Sequence, residues 1–237
     1  MRAIIILATV LAAGCAGVPS QRPPLWDAEA YPIAAVLPIR MVIKTGVPPF
    51  TSDNTDLSNE MGAVIHQALS AVMVYRGYEV LAPLDIEERL GKDRKLSEAF
   101  MDLAMSAGIA PGGSPPGYSS GGSLKSAETV ASALGADLLV LAYGDGEYHS
   151  AGESIIQGIL TGMITKGERQ YREPPSYLSV HMIFVDPGLD RPIAGLYSGR
   201  MPFIKDPVRL ARALDDRTKR IPTFHLTPAR HTKNVTR

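Results

Sequence analysis

The sequence predicts one α/β domain, three-layer-like, with a mixed β-sheet flanked by helices, and three observations predict it. Asp137-Leu-Leu-Val-Leu-Ala-Tyr143 is a near-continuous apolar run, the pattern of a strand buried on both faces. Upstream, Met61, Ile65, Leu69, Val72 and Met73 recur at helical spacing on one face. Downstream, two strand-like runs over 177–185 and 193–200 are joined by Asp186-Pro-Gly-Leu-Asp190, a turn composition that makes them an antiparallel pair. Strand, helix, strand, helices, then three strands and a helix is the order of a mixed-sheet α/β unit.

The elements follow in order. Tyr31 to Ile39 is an apolar run between prolines and reads as the first strand. Pro49 to Asn54 reads as a loop. Asp56 or Ser58 then caps a helix to about Arg76, Gly77 ends it, and Tyr78 to Leu81 follows as a strand. Asp85 to Leu90 and Leu96 to Ala107 read as two further helices, with Met101 and Met105 expected in the core. Residues 108–122 form a Pro/Gly/Ser loop. Ser123 caps a helix over Leu124 to Leu134 that Gly135 stops, and Asp206 opens a last helix, Val208 to Leu214.

Composition narrows the function classes. The 237 residues suffice for a sizeable core, and 24 basic against 24 acidic residues leave no net field to draw in nucleic acid. One cysteine excludes an intramolecular disulfide and a Cys-based zinc site, and the five histidines show no zinc-ligand spacing. No cofactor is expected, and no metal.

The lone cysteine sits at the end of MRAIIILATVLAAGC. Arg2 is a minimal positive region, and the apolar run after it is too short to span a bilayer, which takes about 20 residues. It suits the h-region of a signal peptide followed by small residues. Leu11-Ala12-Ala13-Gly14-Cys15 resembles the bacterial lipobox, with Ala12 standing where leucine is usual. The resemblance implies cleavage between Gly14 and Cys15, lipidation of Cys15, and a permanent hold on membrane lipid. The same resemblance implies the outer membrane, facing the periplasm, because Ala16 follows the cysteine where enterobacterial lipoproteins kept elsewhere carry an aspartate. The remaining readings are an ordinary secretory signal with an incidental cysteine, or a buried strand. The expected organisation is a signal peptide at 1–14, a proline-rich tether at 15–30, a domain at 31–216 and a basic tail at 217–237. Trp26 either docks back on the domain or belongs to the tether.

The phrases IAAVLP, RGYEVL, LGADLLVLAYGDG and PIAGLYSGR together resemble the TolB N-terminal-like and CsgG-like periplasmic lipoprotein domains over about Tyr31 to Leu214. That resemblance implies a non-enzymatic envelope protein acting in assembly, secretion or transport through contacts with an envelope partner or a second copy. It carries over no catalytic residues. An auxiliary lipoprotein of a lipid or solute transporter is the alternative within binding functions.

Three stretches carry candidate chemistry. Gly117-Tyr-Ser119-Ser120-Gly121 matches G-x-S-x-G and opens a periplasmic serine hydrolase reading, but no strand precedes it and a loop accounts for it better. Asp145, Glu147, His149 and Glu153 cluster after a strand, as ligands do in α/β folds, yet a solvated strand extension gives the same alternation. Within an insertion at 149–170, Ile155, Ile156, Ile159, Leu160, Met163 and Ile164 recur in pairs, with Gly158 and Gly162 four apart. A helix with this stripe packs closely against a partner or lies in a lipid interface; a mobile loop is the alternative. The tail beyond Asp216 is basic, with Arg217, Lys219, Arg220, Arg230, Lys233 and Arg237. It reads as a solvated terminus or as a contact with anionic head groups.

Overall fold

In the computed structural model, which describes residues 25–47, 50–109, 124, 126–150, 176–189 and 191–223, the apolar run at Leu138 becomes the longest strand of an α/β fold. The described strands are β1 Ile33–Val36, β2 Arg40–Val47, β3 Phe50–Asp53, β4 Glu79–Val80, β5 Leu138–Tyr148, β6 Tyr177–Asp186, β7 Arg191–Tyr197 and β8 Met201–Pro202. The described α-helices are α1 Thr55–Tyr75, α2 Pro83–Lys92, α3 Arg94–Ser106, α4 Ser126–Leu134 and α5 Pro207–Arg217.

One mixed sheet joins the strands. β5 runs parallel to β1 and β2 on one side and antiparallel to β6 on the other. β4 and β3 flank β1 and β2 on the outer side, and β7 and β8 flank β6. Two long strands therefore form the spine, and broken strands complete the sheet on either side.

β1 and β2 are one strand interrupted by a bulge. Val36 pairs with Val140 and Arg40 with Tyr143, so four steps along this strand match three along β5. The Leu37 N–H still donates to the Val140 carbonyl at 2.9 Å, whereas Pro38 has no N–H to give. An extra residue switches which alternate positions face inward. Ala34 and Val36 before the bulge and Met41 and Ile43 after it accordingly share one core. The apolar run to Ile39 thus continues as a second strand. Phe50–Asp53, expected as loop, pairs antiparallel with it as β3.

Both faces of the sheet are covered by helices. On one, α1 brings Met61, Ile65, Leu69, Val72 and Met73 against Val36, Val140, Val180 and Phe184, beside Leu210 and Leu214 of α5. Gly62 permits the close approach of α1, because a Cβ there would lie 2.7 Å from the Ile39 carbonyl oxygen. On the other face, Ile86 of α2, Leu103 of α3 and Val130 and Leu134 of α4 cover Leu139, Leu141, Ile183 and Val185. The result is helix, sheet, helix.

Local chemistry fixes the ends. Asn54 caps α1, its Oδ1 accepting the Leu57 N–H at 2.9 Å, in place of the expected Asp56 or Ser58. Ser58 instead accepts the Ile43 N–H at 2.9 Å and donates to the Asn54 carbonyl at 2.6 Å, tying α1 to β2. Gly77 follows α1 with φ 89°, and Asp206 caps α5 through the Arg209 N–H at 2.7 Å, both where the sequence places them. The packed chain already begins at Leu25, whose N–H donates to the Arg220 carbonyl at 3.3 Å. Trp26 docks: its Nε1–H donates to the Tyr78 hydroxyl at 3.0 Å and its ring lies 4.6 Å from that of Phe184. At the other end, residues 217–223 are still part of the packed chain, with Ile221 buried.

Buried His66 on α1 gives the fold a pH dependence. Its Nε2–H donates to the Val36 carbonyl at 2.7 Å, and Nδ1 lies 3.9 Å from the Glu87 carboxylate. Burial lowers its pKa, with the Val36 hydrogen bond and Glu87 offsetting part of the effect. A histidine whose folded pKa lies below its ordinary value, about 6.5, binds fewer protons folded than unfolded. Stability is then complete above that value and falls as pH drops below it. Between pH 7 and 5 the urea midpoint should decrease, and in His66→Gln this slope should flatten. Flattening is partial, because burial also lowers His181. An unchanged slope in His66→Gln would remove His66 from the account.

Candidate binding faces

Helices α2 to α4 cover only half of their side of the sheet. Beyond Leu141, the register aligns Arg40, Tyr143, His181 and Tyr197 in one row across β2, β5, β6 and β7. The next row on this face holds Val42, Asp145 and Ser179, and the one after it Lys44, Glu147 and Tyr177. This half-face is polar and aromatic, and apart from Ser179 its side chains are half-buried or exposed.

Rings across neighbouring strands stand close enough to stack. Tyr143 and His181 lie 4.7 Å apart at 6°, and His181 and Tyr197 4.3 Å apart at 28°. Arg200 sits over the Tyr177 ring at 4.3 Å, so its charge rests on a π-face. Burial raises the pKa of Tyr143, with Asp145 and Tyr197 adding to it, and burial with Glu147 raises that of Tyr177. Burial lowers that of His181, against the pull of Asp145. At neutral pH Tyr143, Tyr177 and His181 are therefore uncharged, with Asp145, Glu147, Arg40 and Lys44 beside them. Ring faces inside the ladder contact each other, and Tyr197, 53% exposed on the edge strand, keeps an outer face toward solvent.

A groove opens where the bulge interrupts the sheet. Its volume is about 440 Å³, and it lies between Leu37–Val42, the start of α1 and the C-terminal half of α3. Met101 and Met105 line it and are 46% and 59% exposed, which corrects their expected place in the core. The helical spacing was right, but α3 turns Leu96, Leu103 and Ala104 inward and leaves the methionines on its rim.

Of the acidic cluster, Asp145 and Glu147 lie in β5 on the open half-face, and the buried His149 side chain stays beside Glu147, its Nε2 3.7 Å from that carboxylate and its Nδ1 3.1 Å from the Gly46 carbonyl. Among the described residues no group of three or more His, Cys, Asp or Glu is placed to hold a metal ion. Glu153 lies outside the described residues. So do Gly14, Cys15, the Gly117–Gly121 stretch with Ser119 and Ser120, and the insertion residues Ile155, Ile156, Gly158, Ile159, Leu160, Gly162, Met163 and Ile164. Of the basic tail, Arg217 closes α5 and donates to the Ser198 carbonyl at 3.2 Å, while Lys219 pairs with Asp216 at 3.3 Å. No helix among the described residues is long and apolar enough to cross a membrane.

No protein-family model matches the chain, and neither a curated protein nor a solved structure matches it. The geometry of the two faces and the signal-like N-terminus therefore carry the functional reading.

Proposed function

We propose that this is a lipid-anchored protein of the bacterial envelope that works without catalysis, through protein contacts made by the open half of its sheet. The observation that carries the contact surface is the Tyr143–His181–Tyr197 ladder with Arg200 on Tyr177. Tyrosine and arginine dominate the energetic centres of interfaces, and rings held by their neighbours lose little freedom when a partner docks. The anchor rests on the Leu11–Cys15 pattern, with Cys15 as the acylated first residue of the mature chain at the outer membrane. The α/β architecture and the phrases shared with TolB N-terminal-like and CsgG-like domains support a role in assembly, secretion or transport. The groove favours a second reading, an auxiliary lipoprotein of a lipid or solute transporter.

One experiment addresses anchor and surface together. Cys15→Ala should move the protein from the membrane to the soluble fraction or leave it unprocessed, and normal fractionation contradicts the anchor. In the lipidated chain, a photo-crosslinking amino acid at Tyr197 should give a discrete adduct in intact cells that His181→Ala weakens. An adduct pattern indifferent to His181 contradicts the surface.

A further inference from the structure

Among the described methionines, Met41, Met61, Met73, Met182 and Met201 are buried, none more than 5% exposed, whereas Met101 and Met105 stand half in solvent. The two lie one turn apart on α3 and line the groove over the β1–β2 bulge. Neither holds the helix down, because α3 packs through Leu96, Leu103 and Ala104.

Exposure decides which chemistry reaches a thioether. Its sulfur is a soft, polarisable nucleophile that a two-electron oxidant attacks on contact, and close packing keeps the oxidant out. Met41 supplies the contrast within the same groove. It also lines the groove, but its Sδ is packed against Gly144 of β5, 2.6 Å from where a Cβ there would stand.

The consequence also differs between rim and core. A sulfoxide is polar and chiral, and inside a core it disrupts the packing. On Met101 and Met105 the new oxygens meet water, so the fold survives. The apolar wall behind them, with Leu37, Ile109 and Leu141 buried, instead gains two strong dipoles at its mouth.

We propose that Met101 and Met105 form an oxidation site for peroxides, and that its product turns the mouth of the groove from apolar to polar in the folded protein. A sulfur lone pair takes one oxygen of the peroxide and the O–O bond breaks. With hydrogen peroxide, the departing hydroxide collects the remaining proton and leaves as water. Sulfur loses two electrons and the peroxide gains them. No occupant of the groove takes part, and the site depends on neither the anchor nor the ring ladder.

The folded full chain is titrated with hydrogen peroxide and digested with trypsin. Met101 and Met105, both in peptide 96–125, should oxidise about tenfold faster than Met41 in peptide 41–44, with the circular dichroism unchanged. A second readout follows the groove itself. Asn59 is exposed on α1 and lines it, so in a chain carrying Cys15→Ala and Asn59→Cys the introduced thiol takes the polarity-sensitive dye acrylodan. Its emission should move to longer wavelength as the two sulfoxides form. Adding Met101→Leu and Met105→Leu, which keep the apolar rim, should abolish the shift. Oxidation of Met41 at an equal rate, or loss of the circular dichroism signal as the two sulfoxides form, overturns the site. An emission unmoved by peroxide, or a shift that persists in the leucine variant, overturns the change in the groove.

Discussion

Gly144→Ala should lower the folding stability by about 3 kcal/mol, at the upper end of what overpacking costs. Gly144 lies in the middle of β5, on the face that α1 covers. A Cβ there would meet the Ser179 carbonyl oxygen at 2.3 Å and the Met41 Sδ at 2.6 Å. Met41 can shift at its flexible end. The Ser179 carbonyl cannot, because it belongs to β6, which pairs with β5 over the length of the sheet. The strand must therefore separate locally from its neighbour to admit one methyl group. Gly146 repeats the constraint, with the Tyr177 carbonyl oxygen 2.5 Å from its virtual Cβ. Gly91→Ala is the contrasting control. It lies in α2 with nothing within 4 Å of an added Cβ, and alanine there should add about 0.5 kcal/mol through helix propensity. Urea unfolding of the two variants should shift in opposite directions. Equal midpoints would mean that β5 and β6 are not held as closely as this register requires.

The same glycines show where the sequence was legible. Leu138 to Ala142 announces a strand by apolarity alone, and the α1 face and both glycine stops could be read from spacing. The alternation after Tyr143 already reads as a solvated extension of this strand, and β5 does run to Tyr148 although Gly144 and Gly146, disfavoured in strands, interrupt it. β2 alternates as a half-buried strand should, with Met41 and Ile43 inward and Arg40 and Lys44 outward. Pro38 on one side and Pro48-Pro49 on the other set it in a proline-rich stretch, and the bulge shifts its parity against β1. The groove exists because of that bulge, so it shared the bulge's invisibility. The ring ladder was hidden for another reason. Tyr143, His181 and Tyr197 are distant in sequence, and only cross-strand register brings them into one row.

Arg76→Ala should lower stability by about 3 kcal/mol, the scale of removing one partner from a buried ion pair. Arg76 ends α1, and its side chain is only 9% exposed. Its Nε and Nη2 donate to the Asp215 carboxylate at 3.0 and 2.7 Å, and Nη1 donates to the Ile221 carbonyl at 2.7 Å. Longer contacts reach the carbonyls of Lys219 and Asp215 at 3.4 Å each. One guanidinium thus holds the end of α5 and the turn after it against the end of α1. Alanine leaves the Ile221 carbonyl without its donor and Asp215 without its counter-charge. Water relieves part of this, because the Asp215 side chain is 31% exposed, which keeps the effect at the lower end of the range. Lysine restores the charge without the planar fork and should recover less than half of the loss. The effect should also be local before it is global. The turn held by Arg76 includes Arg220, whose carbonyl accepts the Leu25 N–H, and the next residue is Trp26, the chain's one tryptophan. In Arg76→Ala, Trp26 emission should shift to the red at urea concentrations where the far-ultraviolet signal of the sheet is still native. Coincident transitions in that variant would mean that the clamp is part of the cooperative core instead of a latch on its edge.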